Sequence, residues 1–315
     1  MVIAGVVLAF LLDFLLAEPR RFHPLVGFGR WADYLELRLN KSPLNKILGI
    51  FAWCVAVIPL VVLLFMLDRL LSVNQWLSVI FSGFILYLSI GWQSLLQHAR
   101  AITQPLLLGD IEKARFAVGM IVSRDTAKLN KHEVAKAATE SVLENGADAI
   151  FSALFWFLLA GVPGVVLYRL SNTLDAMWGY KCERFYHFGW CAARVDDALN
   201  FIPARLTALS YALCGSTANA LDCWKKQSAH WKSPNAGPVM SSGAGALNVS
   251  LGGDACYHQQ VHKRPVLGMN NEECYWASAQ TIKSACLLVN KSLLFWLLTV
   301  MAYQAIIDVI SSLLR

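Results

Sequence analysis

Charge is scarce in this chain. Asp, Glu, Lys and Arg make up 15% of its 315 residues, while 57% are hydrophobic. A soluble globular domain carries about 25% charged residues. The deficit excludes an ordinary water-facing surface and assigns much of the exterior to lipid, as does a mean hydropathy of +0.48. A basic tract is also missing. The net charge of +6 comes from scattered Lys and Arg, so nucleic acid is not an expected partner. A modest positive excess instead suits basic loops on one side of a membrane. The eight cysteines, Cys54, Cys182, Cys191, Cys214, Cys223, Cys256, Cys274 and Cys286, include no C-x-x-C pair. Their spacing matches neither a zinc site nor a disulfide scaffold, which leaves unpaired thiols acting as small buried hydrophobes. Neither a G-x-x-x-x-G-K-[ST] loop nor a G-x-G-x-x-G turn occurs, so no nucleotide fold is legible from a motif. Internal repeats and low-complexity tracts are absent too. The apolar run from Met1 to Ala17 lacks a basic flank and a small-residue cleavage site, so a first transmembrane helix is expected there rather than a cleaved signal.

Long apolar runs are present instead. Spans are expected at 2–17, 47–67, 76–96, 149–170, 198–215 and 285–310. The turn at Asn74 and Gln75 makes the second and third a helical hairpin. Gly161, Pro163 and Gly164 interrupt 149–170, giving either a kinked span or a re-entrant hairpin. Between the spans lie a basic loop at 18–48, a soluble-looking helical segment at 97–148, a dense polar stretch at 171–200 and a Gly- and Asn-rich region at 216–284. The basic loop is expected in the cytoplasm. The fold class that follows is mostly α: a polytopic helical bundle forming one domain over 1–315, with polar helical segments and Gly/Asn-rich loops at the membrane boundary.

Four groups of residues could carry chemistry. Glu140, Glu144 and Asp148 fall at i, i+4 and i+8 of a helix. Like charges at that spacing cost an isolated helix about 0.2–0.5 kcal/mol per pair. A cation would relieve this, and magnesium, which favours oxygen ligands and substrate phosphates, is the candidate; a solvated helix face is the alternative. The second group holds Arg169, Asn172, Asp175, Arg194, Asp196, Asp197, Asn200 and Arg205. Asp196 and Asn200 share a helix face, as do Asp197 and Asn200. Arg194 and Arg205 could clamp a phosphate or carboxylate in two-pronged fashion, or the group could be an interfacial loop pairing its own charges. The third is N-terminal: Asp13, Glu18, His23 and Arg30, with Asp13 either reaching the interface or lining a polar cavity. The fourth runs from Ser233-Pro-Asn235 through Gly243-Ala-Gly245 to Gly252-Gly253, a glycine-rich anion cradle or a turn-rich linker.

In order along the chain, the strings Asp13 to Arg30, Ser123-Arg-Asp-Thr126, Glu140-Ser-x-x-Glu-Asn145 with Asp148, Asn172-Thr-Leu-Asp175, Ala193-Arg-Val-Asp-Asp197 with Asn200, Pro203-Ala-Arg205 and Ser233-Pro-Asn-Ala-Gly237 resemble adenosylcobinamide-phosphate synthase, the CobD/CbiB family. The resemblance implies a multi-pass enzyme of the inner membrane. It implies that adenosylcobyric acid and aminopropanol phosphate are joined by an amide bond, using ATP and magnesium. Glu140, Glu144, Asp196 and Asp197 are then the expected catalytic acids. Arg124, Asn145, Asn172, Asp175, Arg194, Asn200, Arg205 and Asn235 are the expected substrate and phosphate contacts, and Glu144, Asp148 and Asp197 the expected metal ligands. The lipid bilayer is an expected partner; a second copy and other cobalamin-assembly enzymes are candidates. Two departures stand out: Phe151-Ser-Ala-Leu-Phe155 replaces a proline-containing apolar stretch, and Gly146-Ala147 replaces bulkier residues. Competing classes are a non-catalytic membrane signalling relative and a corrinoid transporter with a discontinuous helix at Gly161.

Overall fold

A computed structural model describes residues 2–19, 23–41, 46–257, 260–269 and 276–313. Arg20 and Arg21 of the basic loop, and Cys274, lie outside the described residues. The fold is mostly helical, as expected. Among the described residues, four stretches are long and apolar enough to cross a bilayer: Lys46–Leu71, Gln75–Leu108, Lys131–Trp178 and Ala279–Ser312, with Val2–Leu16 a shorter apolar helix. The helix that holds 198–215 is not among them. The chain divides into two compact units, Met1–Gln93 with Asp148–Pro203, and Ser94–Ala147 with Ala204–Arg315. Seven described cysteines are free.

In the first unit, α1 (Val2–Leu16) packs on α4 (Gln75–Tyr87) through small residues. A Cβ on Gly83 would lie 2.9 Å from the Gly5 carbonyl oxygen, so only glycine lets these backbones approach so closely, as between membrane helices. The carboxylate of Asp13, fully buried on α1, accepts from the Gln93 N–H at 2.9 Å. That N–H lies in the first turn of α5 (Trp92–Leu108), where free N–H groups and the helix dipole favour negative charge. His23 caps α2 (Pro24–Leu39), its Nδ1 accepting from the Leu25 N–H at 3.2 Å. Both residues therefore have local structural work. α3 (Lys46–Leu71) exposes Phe51, Ile58, Val62, Leu63 and Met66, an apolar surface suited to lipid.

α7 (Lys131–Gly146) runs through a π turn at Ala147–Phe151 into α8 (Ser152–Trp178). The chain reverses inside α8. Gly161 has φ 64° and ψ −147°, a conformation open essentially to glycine. The Tyr168 hydroxyl donates to the Asp148 carbonyl at 2.8 Å, whereas residues so far apart in a straight helix would be separated by about 30 Å. A Cβ on Gly164 would sit 2.5 Å from the Trp156 carbonyl oxygen, so the two arms touch. Gly161 makes the turn, Pro163 fits the start of the second arm, where its missing N–H costs little, and Gly164 permits the contact. The second arm leads on to α9 (Trp190–Cys214).

In the second unit α7 is central. Its N-terminus carries a capping box, with the Asn130 side chain accepting from the Glu133 N–H and the Glu133 carboxylate from the Asn130 N–H, which satisfies two otherwise free donors. The soluble-looking composition of 97–148 does not mean exposure here: Ala135, Ala137, Ala138 and Thr139 are buried, because small residues give close packing without strong hydropathy. α7 packs against α12 (Ala279–Leu313) and α11 (Ala236–Ala246). Every residue of α11 is buried, so Gly243 and Gly245 belong to a packed helix and not to a loop. A Cβ on Gly243 would meet Leu143 at 2.8 Å, and one on Gly245 would meet the Asn219 carbonyl at 2.5 Å. Gly146 has a comparable reason: a Cβ there would lie 2.6 Å from the Tyr211 hydroxyl, which leaves no room for a bulkier residue. α6 (Ile111–Gly119) precedes α7, and α10 (Thr217–Gln227) precedes α11. Two antiparallel strand pairs follow: β1 (Ser250–Gly252) with β4 (Val266–Gly268), and β2 (Ala255–Tyr257) with β3 (Gln260–His262).

Candidate functional site

Each unit holds its own polar group. In the first, α8 and α9 place Asp196 between two amides. Asn172 Nδ2 donates to Asp196 Oδ1 and Asn200 Nδ2 to Asp196 Oδ2, both at 3.1 Å. The Ser152 hydroxyl donates to Asn200 Oδ1 at 2.8 Å, which fixes the amide so that its N–H faces the acid. Arg169 Nη1 reaches Asn172 Oδ1 at 3.5 Å. Asp197, next on α9, pairs with Arg194 at 3.1 Å. Asp175 lies within electrostatic reach of Asp196, Asp197 and Arg194. Burial pushes the Asp196 carboxyl above the usual aspartate range, the Asn172 and Asn200 amides pull it down in part, and the Asp197 charge raises it further. Such a carboxyl holds a proton more readily than a solvated one, as a group that exchanges protons with a substrate does. The Nε of Arg169 is buried with no hydrogen-bond partner among the described residues. Asp148 lies within the π turn, the kind of irregularity often found at functional positions.

In the second unit, Glu140 is buried and saturated. Arg124 Nη2 donates to its Oε2, Arg264 Nη2 contacts both carboxylate oxygens at 3.3 Å, and the Gly252 N–H donates to Oε1 at 2.8 Å. Arg264 is steadied by donating from Nε to the Gly253 carbonyl at 3.0 Å and by lying over the Trp231 ring. Glu144, one turn on, is exposed. The predicted single acidic face therefore divides: Glu140 binds the protein to itself, while Glu144 remains open. Asn145 Nδ2 donates back to Ser141. Arg205 donates to Asn235 Oδ1 at 2.8 Å and to the Pro234 carbonyl at 3.0 Å, tying α9 to the loop before α11.

Several of the expected residues thus come together within a unit: Asn172, Asp196 and Asn200; Arg194 and Asp197; Arg124 and Glu140; Arg205 and Asn235. Arg264 and Lys136 were missed by sequence reasoning. Lys136 precedes Glu140 by one helical turn, a K-x-x-x-E spacing that could have drawn attention. Arg264 sits in a segment without a motif, and only the fold brings it to Glu140. Among the described residues, no group of three or more His, Cys, Asp or Glu side chains is arranged to hold a metal. The available donors are carboxylate and amide oxygens, the hard ligands that magnesium takes in ones and twos beside water and phosphate.

The model of the CobD/Cbib protein family matches residues 6–289. The chain is 53% identical over 302 residues to the cobalamin biosynthesis protein CobD of Stutzerimonas stutzeri, covering 95% of this chain and 97% of that one. It is 49% identical over 296 residues to the protein of the same name from Chromobacterium violaceum, covering 92% of each. It is 38% identical over 269 residues to the CobD protein of Mycobacterium tuberculosis, covering 84% of this chain and 85% of that one. No solved structure matches. A polytopic helical protein with paired acids and amides on α8 and α9 is the class that the fold defines, and the chain belongs to the CobD/Cbib family.

Proposed function

We propose that this chain is an enzyme of cobalamin biosynthesis that joins adenosylcobyric acid to aminopropanol phosphate by an ATP-dependent amide bond, working in the inner membrane. The observation that carries the reading is the acid–amide group of α8 and α9, where Asp196 is held by Asn172 and Asn200 beside the Arg194–Asp197 pair. An amide does not form from a free carboxylate at neutral pH without a better leaving group than oxide. In the reading, a carboxylate oxygen of the corrinoid attacks the γ-phosphorus of ATP, giving an acyl phosphate and ADP. The ammonium of the amino alcohol gives one proton to Asp196, whose raised affinity suits a base for an amine. The free amine then attacks the acyl carbon, and the C–O bond to phosphate breaks as inorganic phosphate leaves. Once bonded to carbon, the nitrogen loses its second proton to the departing phosphate and becomes the amide N–H.

Arg194, and Arg169 with its unused Nε, supply positive charge for the phosphoryl oxygens in the first unit. Asn172, Asn200 and Asp175 position the base and the amine; Asn145, Arg205 and Asn235 shape the substrate contacts of the second unit. Magnesium supplies charge neutralisation to ATP. The carboxylates that would hold it in this reading are Glu144 on α7 or, in the first unit, Asp148 and Asp197.

The test is a ligation assay on purified protein in detergent, with adenosylcobyric acid, aminopropanol phosphate, ATP and magnesium, read by mass spectrometry. ATP-dependent formation of adenosylcobinamide phosphate is expected. Folded protein that makes no product from either the phosphorylated or the free amino alcohol would overturn the reading. The reversal at Gly161 favours a second reading, passage of a corrinoid through a broken helix; flux into proteoliposomes without ATP turnover is its signature.

A further inference from the structure

A cavity of about 1000 Å³ lies wholly in the second unit, lined by the loop from Arg124 to Leu129, by Glu133 and Lys136 on the first turns of α7, and by the strand turn at Asp254–Cys256. Arg124 connects it to the buried Arg124–Glu140–Arg264 group. Three cations, Arg124, Arg264 and Lys136, act on Glu140 there, with Glu133 also in electrostatic reach of Lys136 and Glu144 of the two guanidiniums. The two guanidiniums already share Glu140. Lys136, half-buried, has no hydrogen-bond or ion-pair partner among the described residues. An ammonium partly withdrawn from water without a hydrogen-bonded counter-charge is costly until an anion arrives.

Space at the ammonium is kept open by glycine. A Cβ on Gly253 would stand 3.6 Å from Lys136 Nζ, and Gly252 and Gly253 both have positive φ, at 72° and 73°. Any side chain in that turn would be strained, and one on Gly253 would come into contact with the ammonium. The acids of the lining are otherwise engaged or outward. Glu133 caps α7, Asp125 accepts from the Cys256 thiol at 3.5 Å, and Asp254 is exposed.

We infer that this cavity binds the phosphoryl group of a substrate, with Lys136 and the exposed Lys128 as its direct ligands and the Arg124–Glu140–Arg264 group as a rigid floor. The outer acids suit a ligand carrying positive charge near its phosphoryl group, either an ammonium or a chelated divalent cation. A phosphorylated amine and a magnesium nucleotide share that chemistry. Their assignment as substrates rests on the function proposed above; the binding of a phosphoryl group does not. Lys136 is a binding residue here, and Glu140 a positioning residue.

The test is equilibrium binding to the full-length protein in detergent, using ATP with magnesium, aminopropanol phosphate, inorganic phosphate and unphosphorylated aminopropanol as separate probes. Lys136→Gln should weaken the phosphorylated ligand by roughly tenfold or more, the size of one charge-assisted hydrogen bond. Lys136→Arg should restore most of the affinity, and unphosphorylated aminopropanol should not compete. Lys128→Gln, on an exposed loop, should weaken the same ligand by a smaller factor and serves if Lys136→Gln lowers the melting temperature. Whichever of ATP and aminopropanol phosphate responds names the source. Unchanged affinity for both in the two glutamine variants overturns the inference. Product formation with unaltered KM for both substrates in Lys136→Gln also overturns it, and leaves the proposed function standing. Lysine-dependent phosphoryl binding by a protein that makes no product overturns the proposed function alone.

Discussion

The two polar groups of this protein handle charge in opposite ways. In the second unit a single buried carboxylate, Glu140, is surrounded by cations and by the Gly252 N–H. In the first unit Asp196 is surrounded by neutral amides, and Asp175 and Asp197 add negative charge against Arg169 and Arg194. A carboxylate bound by two guanidiniums and a backbone N–H holds structure, and Lys136 beside it, unpaired among the described residues, is left for an anion. A carboxylate held by amides keeps its orientation in either protonation state, because an amide N–H donates to both. The same residue type is thereby fitted to two tasks, and the neighbours decide which.

The sharpest way to break this contrast is at α9. Asp197→Ala should abolish ligation while leaving membrane insertion and the melting temperature close to wild type, since Asp197 pairs with an exposed arginine. Asp196→Asn should lower the rate by about 10²–10⁴, the range for a lost general base. Full activity in either variant, measured with the ligation assay, would remove that residue from the chemistry and dissolve the distinction between the two groups.

Glu140→Gln should act in the other way, on the fold. Removing this charge leaves two guanidiniums buried without their counterion, and breaking a buried pair costs about 3–5 kcal/mol. Thermal unfolding in detergent should show a large drop in midpoint. Where protein survives at low temperature, activity per folded molecule should fall less than in Asp197→Ala. A Glu140→Gln protein as stable as wild type but inactive would instead make Glu140 a catalytic group, like Asp196.

Much of this contrast was legible in sequence on one side only. Asp196 and Asn200 lie one helical turn apart, so helical spacing alone put them on one face, and they do share a network. The long apolar runs that became α3 and α12 were equally plain, because hydropathy reports lipid exposure directly. The Glu140 group was not legible. Glu140 and Glu144 have identical spacing logic, yet one is buried and the other exposed. Glu140 is met by Arg264, which lies 124 residues further along the chain, and sequence spacing does not report so distant a contact. α11 was hidden for another reason: its glycines and alanines resemble a linker in composition, and only Leu143 and Asn219 pressing against them make glycine the residue that fits a helix there. Gly161 signalled a break, but a mild kink and a full reversal have the same sequence. The Tyr168–Asp148 bond distinguishes them.

The smallest expected effect concerns a third carboxylate, which tests whether an ion pair at the edge of the first unit behaves like either group. Glu36 on α2 is buried, and Arg184 donates to it twice, at 3.0 and 2.6 Å, while Asn40 donates at 2.8 Å. The Arg184 hydrogen bonds hold its carboxyl below the usual glutamate range, burial opposes this, and Asn40 lowers it further. A carboxyl whose proton affinity falls on folding stabilises the fold when ionised. Its contribution is therefore complete above the ordinary glutamate value, about 4.3, and is lost as pH falls through the lower folded value. Arg184 is largely solvent-exposed, so water and salt screen the pair and keep the effect small. The melting temperature of the wild type should decline slightly as pH drops below that range, and Glu36→Gln should flatten this part of the curve while lowering stability at neutral pH. An identical acid profile in the two proteins would place the pair with exposed ion pairs of no measurable worth.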